Sequence, residues 1–331
     1  MVKALGLFGI KLIKEVLLIM EYSILRRIII LLMGVFCYLP ISFLWAASYS
    51  LPSMDEALIG EVQHTSVQSN EALVNIASRY DLGMNEVKNA NPGIDPGRYL
   101  PTGALLTIPS AYLLPPGVRT GMVINLPEMR LYYYPTDLHV VMTYPIGIGK
   151  VGKMIPMTRT YVVRKAKNPS WRPPQDIRDF NTEQGIVLPD IMPPGPDNPL
   201  GPYAIYLGVP TYLVHSTIFP DSVGKRASFG CIRMREDDIK NIFSLVERRT
   251  PVAIINMPVK TGWQGGRLYL EAHPPLEDYP ASTDTLGGMV NLMQANTHRT
   301  GLVFIDWQMV SYLNHERDGI PHEVGVRLVK S

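Results

Sequence analysis

Apolar residues change their spacing along the chain, and each spacing predicts a different kind of element. Between Leu73 and Tyr80 they recur three and four positions apart, which is the spacing of one helical face. The same spacing after Asp237-Asp238 predicts another clear helix. Further short helices are predicted at 85–90, 286–294 and 306–316. Runs rich in β-branched and aromatic residues predict strands at 62–67, 105–108, 121–134, 138–144, 160–163, 204–207, 211–215 and 252–255. The pattern therefore predicts a mainly β chain with few long helices.

The N-terminal pattern is different and predicts an export signal. Two arginines precede an apolar run over 28–45 that ends in small residues, as in a secretory signal peptide. We therefore expect residues 1–48 to be a signal peptide, with Met20 as an alternative start. The run is also just long enough to span a membrane, so an uncleaved anchor is the alternative. Pro40 and Ser42 interrupt the run and favour cleavage.

Composition excludes several classes of protein. Apolar residues make up 46% of the 331 residues and charged residues 18%, which argues against a disordered chain. The chain has 31 basic and 29 acidic residues, of which five basic and two acidic ones lie in the predicted signal peptide. The rest of the chain is therefore near neutral, and no nucleic-acid partner is expected. The two cysteines, Cys37 and Cys231, cannot build a multi-thiolate zinc site, and the histidines lack metal-ligand spacing. We expect no metal and no cofactor.

Residues 62–109 form a block with the predicted order strand, helix, helix, strand. This small α+β block resembles the LysM module, which binds the N-acetylglucosamine backbone of peptidoglycan or chitin. The matching residues are Ala72-Leu73, Ile76-Ala77, Tyr80, Asn91-Pro92, Gly103 and Leu106-Thr107-Ile108-Pro109. Ser69-Asn70 replaces the usual Gly-Asp before the first helix, so a packing module without sugar affinity is the alternative. A linker at 114–117 is expected to separate the core of this module from a second one.

One cysteine and one histidine carry the strongest chemical signal. His215 ends a predicted strand, and Cys231 follows sixteen residues later behind a turn that contains Gly230. A lone cysteine is usually a small buried apolar residue. An imidazole within hydrogen-bond reach, however, takes the thiol proton and gives a nucleophilic thiolate–imidazolium pair. The backbone amides of Gly230 and Cys231 are expected to hold the oxyanion that such an attack produces.

This pattern resembles the YkuD-type L,D-transpeptidase catalytic domain. The matching segments are His215-Ser216, Ser228-x-Gly230-Cys231-Ile232-Arg233, Asn125 to Tyr132, Pro145-Ile146-Gly147, Asn168-Pro169-x-Trp171 and Asp197 to Gly201. The resemblance implies a β-sandwich with a helix after the cysteine, over 119–257, followed by a C-terminal extension over 258–331. Phe229 stands where many members have histidine, which should change the hydrogen bonding around the thiol without abolishing the thiolate.

The resemblance also implies a reaction on peptidoglycan in the periplasm. Cys231 attacks the carbonyl of diaminopimelate in a tetrapeptide stem, D-alanine leaves, and an amine of another stem or of a lipoprotein lysine accepts the acyl group. His215 acts as base and then acid, and the carbonyl of Ser216 orients it. Ser228 and Arg233 are expected to contact substrate, with bracing of the loop as the alternative for Arg233. Water as acceptor, giving a carboxypeptidase or amidase, and a non-catalytic wall-binding protein are the alternative functions.

The segment 168–202 holds nine prolines, which cannot fill central strands. Trp171, Ile177 and Phe180 are candidates to pin this segment over a cleft. A surface loop with no part in catalysis is the alternative.

Overall fold

The computed structural model describes residues 47–153, 155–298 and 301–328. The predicted signal peptide and the alternative anchor lie outside these residues, except that Ser48 begins the first strand. No helix in the described part of the chain is long and apolar enough to cross a membrane. All of the described residues belong to one compact unit.

Short strands dominate the described residues. They are β1 (Ser48–Ser50), β2 (Leu58–Gly60), β3 (Gln63–Ser66), β4 (Glu71–Ala72), β5 (Tyr99–Leu100), β6 (Leu105–Ile108), β7 (Ala111–Leu113), β8 (Gly121–Asn125), β9 (Arg130–Tyr134), β10 (Val140–Pro145), β11 (Ile148–Gly149), β12 (Thr158–Lys167), β13 (Tyr203–Leu207), β14 (Leu213–Ser216), β15 (Arg226–Ser228), β16 (Ile232–Met234), β17 (Pro251–Ile255), β18 (Val259–Gln264), β19 (Arg267–Ala272), β20 (Val303–Ile305) and β21 (His322–Arg327). The α-helices are α1 (Leu73–Arg79), α2 (Met84–Asn89), α3 (Gln175–Thr182), α4 (Glu236–Leu245), α5 (Leu286–Thr297) and α6 (Trp307–Glu316). Two 3₁₀ turns cover Pro220–Ser222 and Ser282–Asp284.

A nine-stranded sheet forms the frame of the molecule, in the order β1-β10-β9-β8-β17-β12-β13-β14-β16. The pairs β8–β17 and β14–β16 are parallel, and the other neighbours are antiparallel. The long strand β12 joins the two halves, because residues 158–161 pair with β17 and residues 162–167 pair with β13. The register shifts between Val162 and Arg164, where one half gives way to the other.

The main core contains side chains from both halves of this sheet and from α4. Its members include Met122, Ile124, Leu131, Tyr144, Ile205, Val214, Ile232, Ile239 and Ile242. The helix α4 follows the cysteine, as predicted, and its first turn carries Glu236, Asp237 and Asp238, which suit the positive end of a helix. The predicted mainly β domain with few helices is thereby confirmed.

The segment from β3 to β6 has the predicted element order. β3 pairs antiparallel with β6, α1 and α2 lie between them in the chain, and the short pair β4–β5 is an addition. The apolar face of α1 is buried through Leu73, Ile76 and Ala77.

The linker at 114–117 does not separate two cores, and that prediction is wrong. Leu114 is itself buried. One apolar cluster joins the small module to the main sheet, with Ile59, Leu73, Ile76, Leu106 and Ile108 on one side and Val123, Tyr132, Tyr134 and Val141 on the other. β1 also pairs with β10, so a strand before the module belongs to the main sheet. The prolines in the linker mark a turn, but they carry no information about what packs across it.

The C-terminal region builds a second sheet in the order β18-β19-β21-β20, against which α5 and α6 pack. The two helices predicted there are present. A buried group of charges joins this region to the main sheet, since Lys260 Nζ lies 2.9 Å from Glu128 Oε1 and 2.8 Å from Glu271 Oε1. Glu128, Glu271 and His273 are close enough together to ligate a metal ion, but the Lys260 ammonium already lies between the two carboxylates.

Candidate active site

Two parallel strands bring the predicted site residues into one cleft. In β14 and β16, Val214 lies opposite Ile232 and His215 lies opposite Arg233. Successive side chains of a strand point to opposite faces, so Val214 and Ile232 enter the buried core. His215, Cys231 and Arg233 share the other face, which lines a cleft of about 680 Å³.

His215 is held in one orientation and one tautomer. Its side chain is buried, with 4% exposed, and Nδ1 lies 2.5 Å from the carbonyl oxygen of Ser216, the contact expected from the sequence. A carbonyl oxygen only accepts, so Nδ1 carries the proton and Nε2 keeps a free lone pair. Burial, and then the charge of Arg233, lower the pKa of His215 to about 4. At neutral pH the ring is therefore uncharged and is a base at Nε2.

Cys231 is a thiol rather than a thiolate in this site. Burial raises its pKa above the ordinary value, and the Leu213 amide and the charge of Arg233 oppose that effect only in part. Sγ lies 3.7 Å from the carbonyl oxygen of Thr211. Both shifts in pKa favour a neutral thiol and a neutral imidazole over the predicted thiolate–imidazolium pair in the free site. The physical reason is the burial of His215 and the desolvation of the half-buried Cys231, which disfavour the charged forms of both groups.

Ser228 braces the turn before the nucleophile and also lines the cleft, and its predicted contact with substrate stays a prediction. Ser228 Oγ is buried, donates to the Cys231 carbonyl at 2.6 Å and accepts from the Gly230 amide at 3.1 Å. The Gly230 amide is therefore engaged inside the turn, and its predicted oxyanion contact is not available in this geometry. Gly230 has a φ of 111°, and a Cβ there would lie 2.7 Å from a ring carbon of Tyr212, so the position requires glycine.

Arg233 lies on the cleft face beside both reactive groups. Its Nε is buried and has no hydrogen-bond partner within residues 47–153, 155–298 and 301–328. Its guanidinium carbon lies 5.7 Å from the centre of the Phe219 ring. The positive charge lowers the pKa of His215 and that of Cys231. The arrangement therefore offers a positive charge to an anionic group in the cleft.

The proline-rich segment 168–202 forms the opposite wall of the cleft. Trp171 and Met192 exchange backbone hydrogen bonds of 2.8 and 2.7 Å, which closes the segment into a loop. The buried side chain of Asn198 donates to the Pro169 carbonyl at 2.9 Å and so ties its two ends. Trp171 packs with Cys231 against one small apolar cluster. The segment therefore lines the cleft, as expected if it covers the site, and its part in catalysis stays a prediction.

Sequence reasoning missed other residues of this cleft. The guanidinium carbon of Arg164 lies 3.4 Å from the centre of the Tyr206 ring. Both side chains line the cleft together with Arg172. The two residues face each other across β12 and β13, a register that the sequence does not show. Arg172 lies in Trp171-Arg172-Pro173-Pro174, and the sequence alone shows this stretch to be rich in proline but not that Arg172 lines a cleft.

The chain resembles known proteins over this region. Residues 119–254 match the YkuD family, described as the L,D-transpeptidase catalytic domain. "Probable L,D-transpeptidase YcfS" of Escherichia coli K12 is 44% identical over 241 residues, which cover 70% of this chain and 74% of the relative. "Probable L,D-transpeptidase YbiS" of the same strain is 36% identical over 282 residues, which cover 83% and 91%. The catalytic domain of an Enterococcus faecium L,D-transpeptidase, solved by NMR, is 23% identical with a TM-score of 0.32, over 41% of this chain and 96% of that one.

Proposed function

This chain belongs to the L,D-transpeptidase family, and we propose that it transfers the acyl group of a peptidoglycan stem peptide through a thioester on Cys231. The observation that carries this proposal is the pairing of β14 with β16. It puts a neutral imidazole with a free Nε2 on the same face as the thiol. A base that keeps its lone pair at neutral pH is the group that such a thiol requires.

The first half of the proposed reaction makes the thioester. Sγ attacks the carbonyl carbon of diaminopimelate while Nε2 of His215 takes the thiol proton. The amide of Cys231, rather than that of Gly230, donates to the oxyanion, and the charge of Arg233 adds to its stabilisation. His215 then returns the proton to the nitrogen of D-alanine as the carbon–nitrogen bond breaks, and D-alanine leaves.

The second half reverses these roles with a new amine. The acceptor nitrogen attacks the thioester carbon and His215 removes a proton from it; as the carbon–sulfur bond breaks, His215 passes that proton to Sγ and the thiol is restored. The acceptor we propose is the side-chain amine of diaminopimelate in a second stem. The lysine of a cell-wall lipoprotein and water are the competing acceptors, and each leaves a different product.

We further propose that residues 62–109 are a LysM module that binds the glycan, and that the protein acts in the periplasm. Support comes from the element order and from the residues that match that module. The exposed Tyr99, 67% accessible in β5, offers a test that spares the core. Tyr99→Ala should reduce co-sedimentation with purified sacculi, whereas Val118→Ala, at an exposed residue outside the module, should not. Equal sedimentation of both variants and of the wild type would contradict the glycan-binding role.

The function itself is tested by product analysis. Purified protein is incubated with disaccharide tetrapeptide, and the products are separated and weighed by mass spectrometry. We expect free D-alanine and a dimer joined between two diaminopimelate residues. Disaccharide tripeptide alone would show that water is the acceptor, and an unchanged substrate would contradict the enzymatic proposal.

A further inference from the structure

Phe229 occupies the turn between Ser228 and the nucleophile, lines the cleft, and directs its ring toward the proline-rich segment 168–202. It meets Phe180 of α3 edge to face, with ring centres 5.2 Å apart and an angle of 67° between the planes. This geometry is one that aromatic pairs prefer. A side chain two residues before Cys231 therefore contacts the helix in the opposite wall of the cleft.

Lys150 completes this contact from a third element. Its Nζ lies 4.1 Å from the centre of the Phe180 ring and 4.0 Å from that of Phe229. Its amide donates to the Ser228 carbonyl at 2.9 Å, which fixes the lysine backbone to the same turn. Nearby, Lys153 Nζ lies 2.6 Å from Asp176 Oδ2 in the first turn of α3. The loop at 150–153 thus fastens both to the catalytic turn and to α3.

The helix α3 is tied to its own segment by the Arg178 side chain, which donates to the carbonyls of Leu188, Pro189 and Asp190, and the contacts with Phe229 and Lys150 join it to the catalytic turn. None of its residues is buried, although it carries part of the cleft wall through Asp176 and Ile177. Elements with few buried apolar contacts open locally at low free-energy cost. The contacts of Phe180 and Lys150 with Phe229, together with the Lys153–Asp176 ion pair, therefore join this wall to the catalytic turn.

We propose that Phe229 is a positioning residue that latches α3 to the catalytic turn through Phe180 and Lys150. The second part of the proposal is that the latch holds the wall of the cleft in contact with the bound donor stem. This part rests on the proposed function. The acyl chemistry does not involve the Phe229 ring, so the latch affects the binding of the donor rather than the transfer step.

Hydrogen exchange in the free protein tests the latch without any substrate. Phe229→Ala should speed exchange of the α3 amides by about tenfold, because an aromatic pair and a cation–π contact are lost. Phe180→Ala should give the same change, and the double variant should add little, since the two rings form one contact. Phe229→Tyr keeps the ring and should exchange like wild type. Val187→Ala, which shortens an 87% exposed side chain of the same segment, is the matched control.

Exchange of α3 that is unchanged in Phe229→Ala and Phe180→Ala would overturn the latch. Kinetics with tetrapeptide donor test the second part. In Phe229→Ala, KM for the tetrapeptide donor should rise by about tenfold while kcat changes little. Faster exchange with an unchanged KM would overturn the role in donor binding. A wild-type protein without turnover would contradict the proposed function and leave the exchange test standing.

Discussion

At the scale of single residues, the reaction depends on which nitrogen of His215 carries a proton. The Ser216 carbonyl takes Nδ1–H and so leaves Nε2 as the base. His215→Ala should lower kcat/KM for the tetrapeptide by a factor of ~10²–10⁴, the usual contribution of a positioned base. His139→Ala, at an exposed histidine in the turn between β9 and β10, is the control and should keep full activity. Comparable rates for the two variants would remove His215 from the mechanism.

The protonation states predict the shape of the pH profile. His215 must be neutral to accept the thiol proton, and its pKa is lowered from 6.5 to about 4. We therefore expect kcat/KM to stay flat as pH falls through 6.5 and to decline only near pH 4. Arg233→Gln removes the positive charge that lowers this pKa, so the decline should move to higher pH. An acidic limb near pH 6.5 in the wild type would contradict the buried neutral pair.

Sequence reasoning reached Cys231 and His215 because their order and the glycine between them are local patterns. It did not reach their charge states, since burial depends on the proline-rich wall and on strands distant in the chain. The bracing role of Ser228 was not predictable for a related reason. A serine beside a nucleophile suggests a contact outward, whereas the fold turns its hydroxyl inward onto the turn.

At the scale of elements, the turn from Ser228 to Cys231 sets the position of Sγ. Ser228→Ala leaves the buried Gly230 amide without its acceptor, at a cost of about 1–3 kcal/mol. We expect kcat to fall about tenfold with the overall fold retained, because a small displacement of the nucleophile disturbs the attack geometry. Steady-state kinetics and circular dichroism measure the two effects. Ser244→Ala, at an exposed hydroxyl on α4, should change neither, and a Ser228→Ala enzyme with wild-type kcat would contradict the brace.

Elements with a clear period were predictable, and those defined by long-range pairing were not. The helix α4 and the strands β8, β13, β14 and β17 follow from local alternation and from the β-branched residues they contain. The division of β12 between two halves of the sheet depends on the strands that pair with it, which are far apart in the chain. The helix α3 was invisible because its residues are exposed and prolines surround it.

At the scale of the whole molecule, the small module and the catalytic sheet are one folded body. Gly83 and Gly224 meet backbone to backbone, and a Cβ on Gly224 would lie 2.4 Å from the Gly83 Cα. Arg235 donates to the Leu82 carbonyl across the same junction. A linker that separates two cores, as predicted at 114–117, would allow deletion of residues 49–113 without loss of the catalytic domain. The shared core predicts instead that this deletion unfolds the catalytic sheet, since β1 residues and one side of an apolar cluster are lost.

The buried pair of Arg130 and Glu86 measures how strongly the junction contributes to stability. Arg130 is completely buried, and its Nε and Nη2 lie 2.8 and 3.0 Å from the two oxygens of Glu86 on α2. Arg130→Ala leaves that carboxylate buried and unpaired, which should lower the free energy of unfolding by about 3–5 kcal/mol. Arg98→Ala breaks an exposed pair with Asp95 and should cost under about 1 kcal/mol. Urea denaturation compares the two, and equal midpoints would contradict a shared junction.

The central claim is that Cys231 carries the acyl group of the stem, and the mass of the intact protein tests it most directly. The protein is mixed with disaccharide tetrapeptide and quenched in acid, and its intact mass is measured by mass spectrometry. The protein is then digested, and the modified peptide is sequenced. We predict an adduct equal to the substrate minus D-alanine, attached to Cys231 and cleaved by hydroxylamine as a thioester is. Cys231→Ala should show no adduct and no release of D-alanine. D-Alanine release or cross-linking that persists in Cys231→Ala would contradict the account.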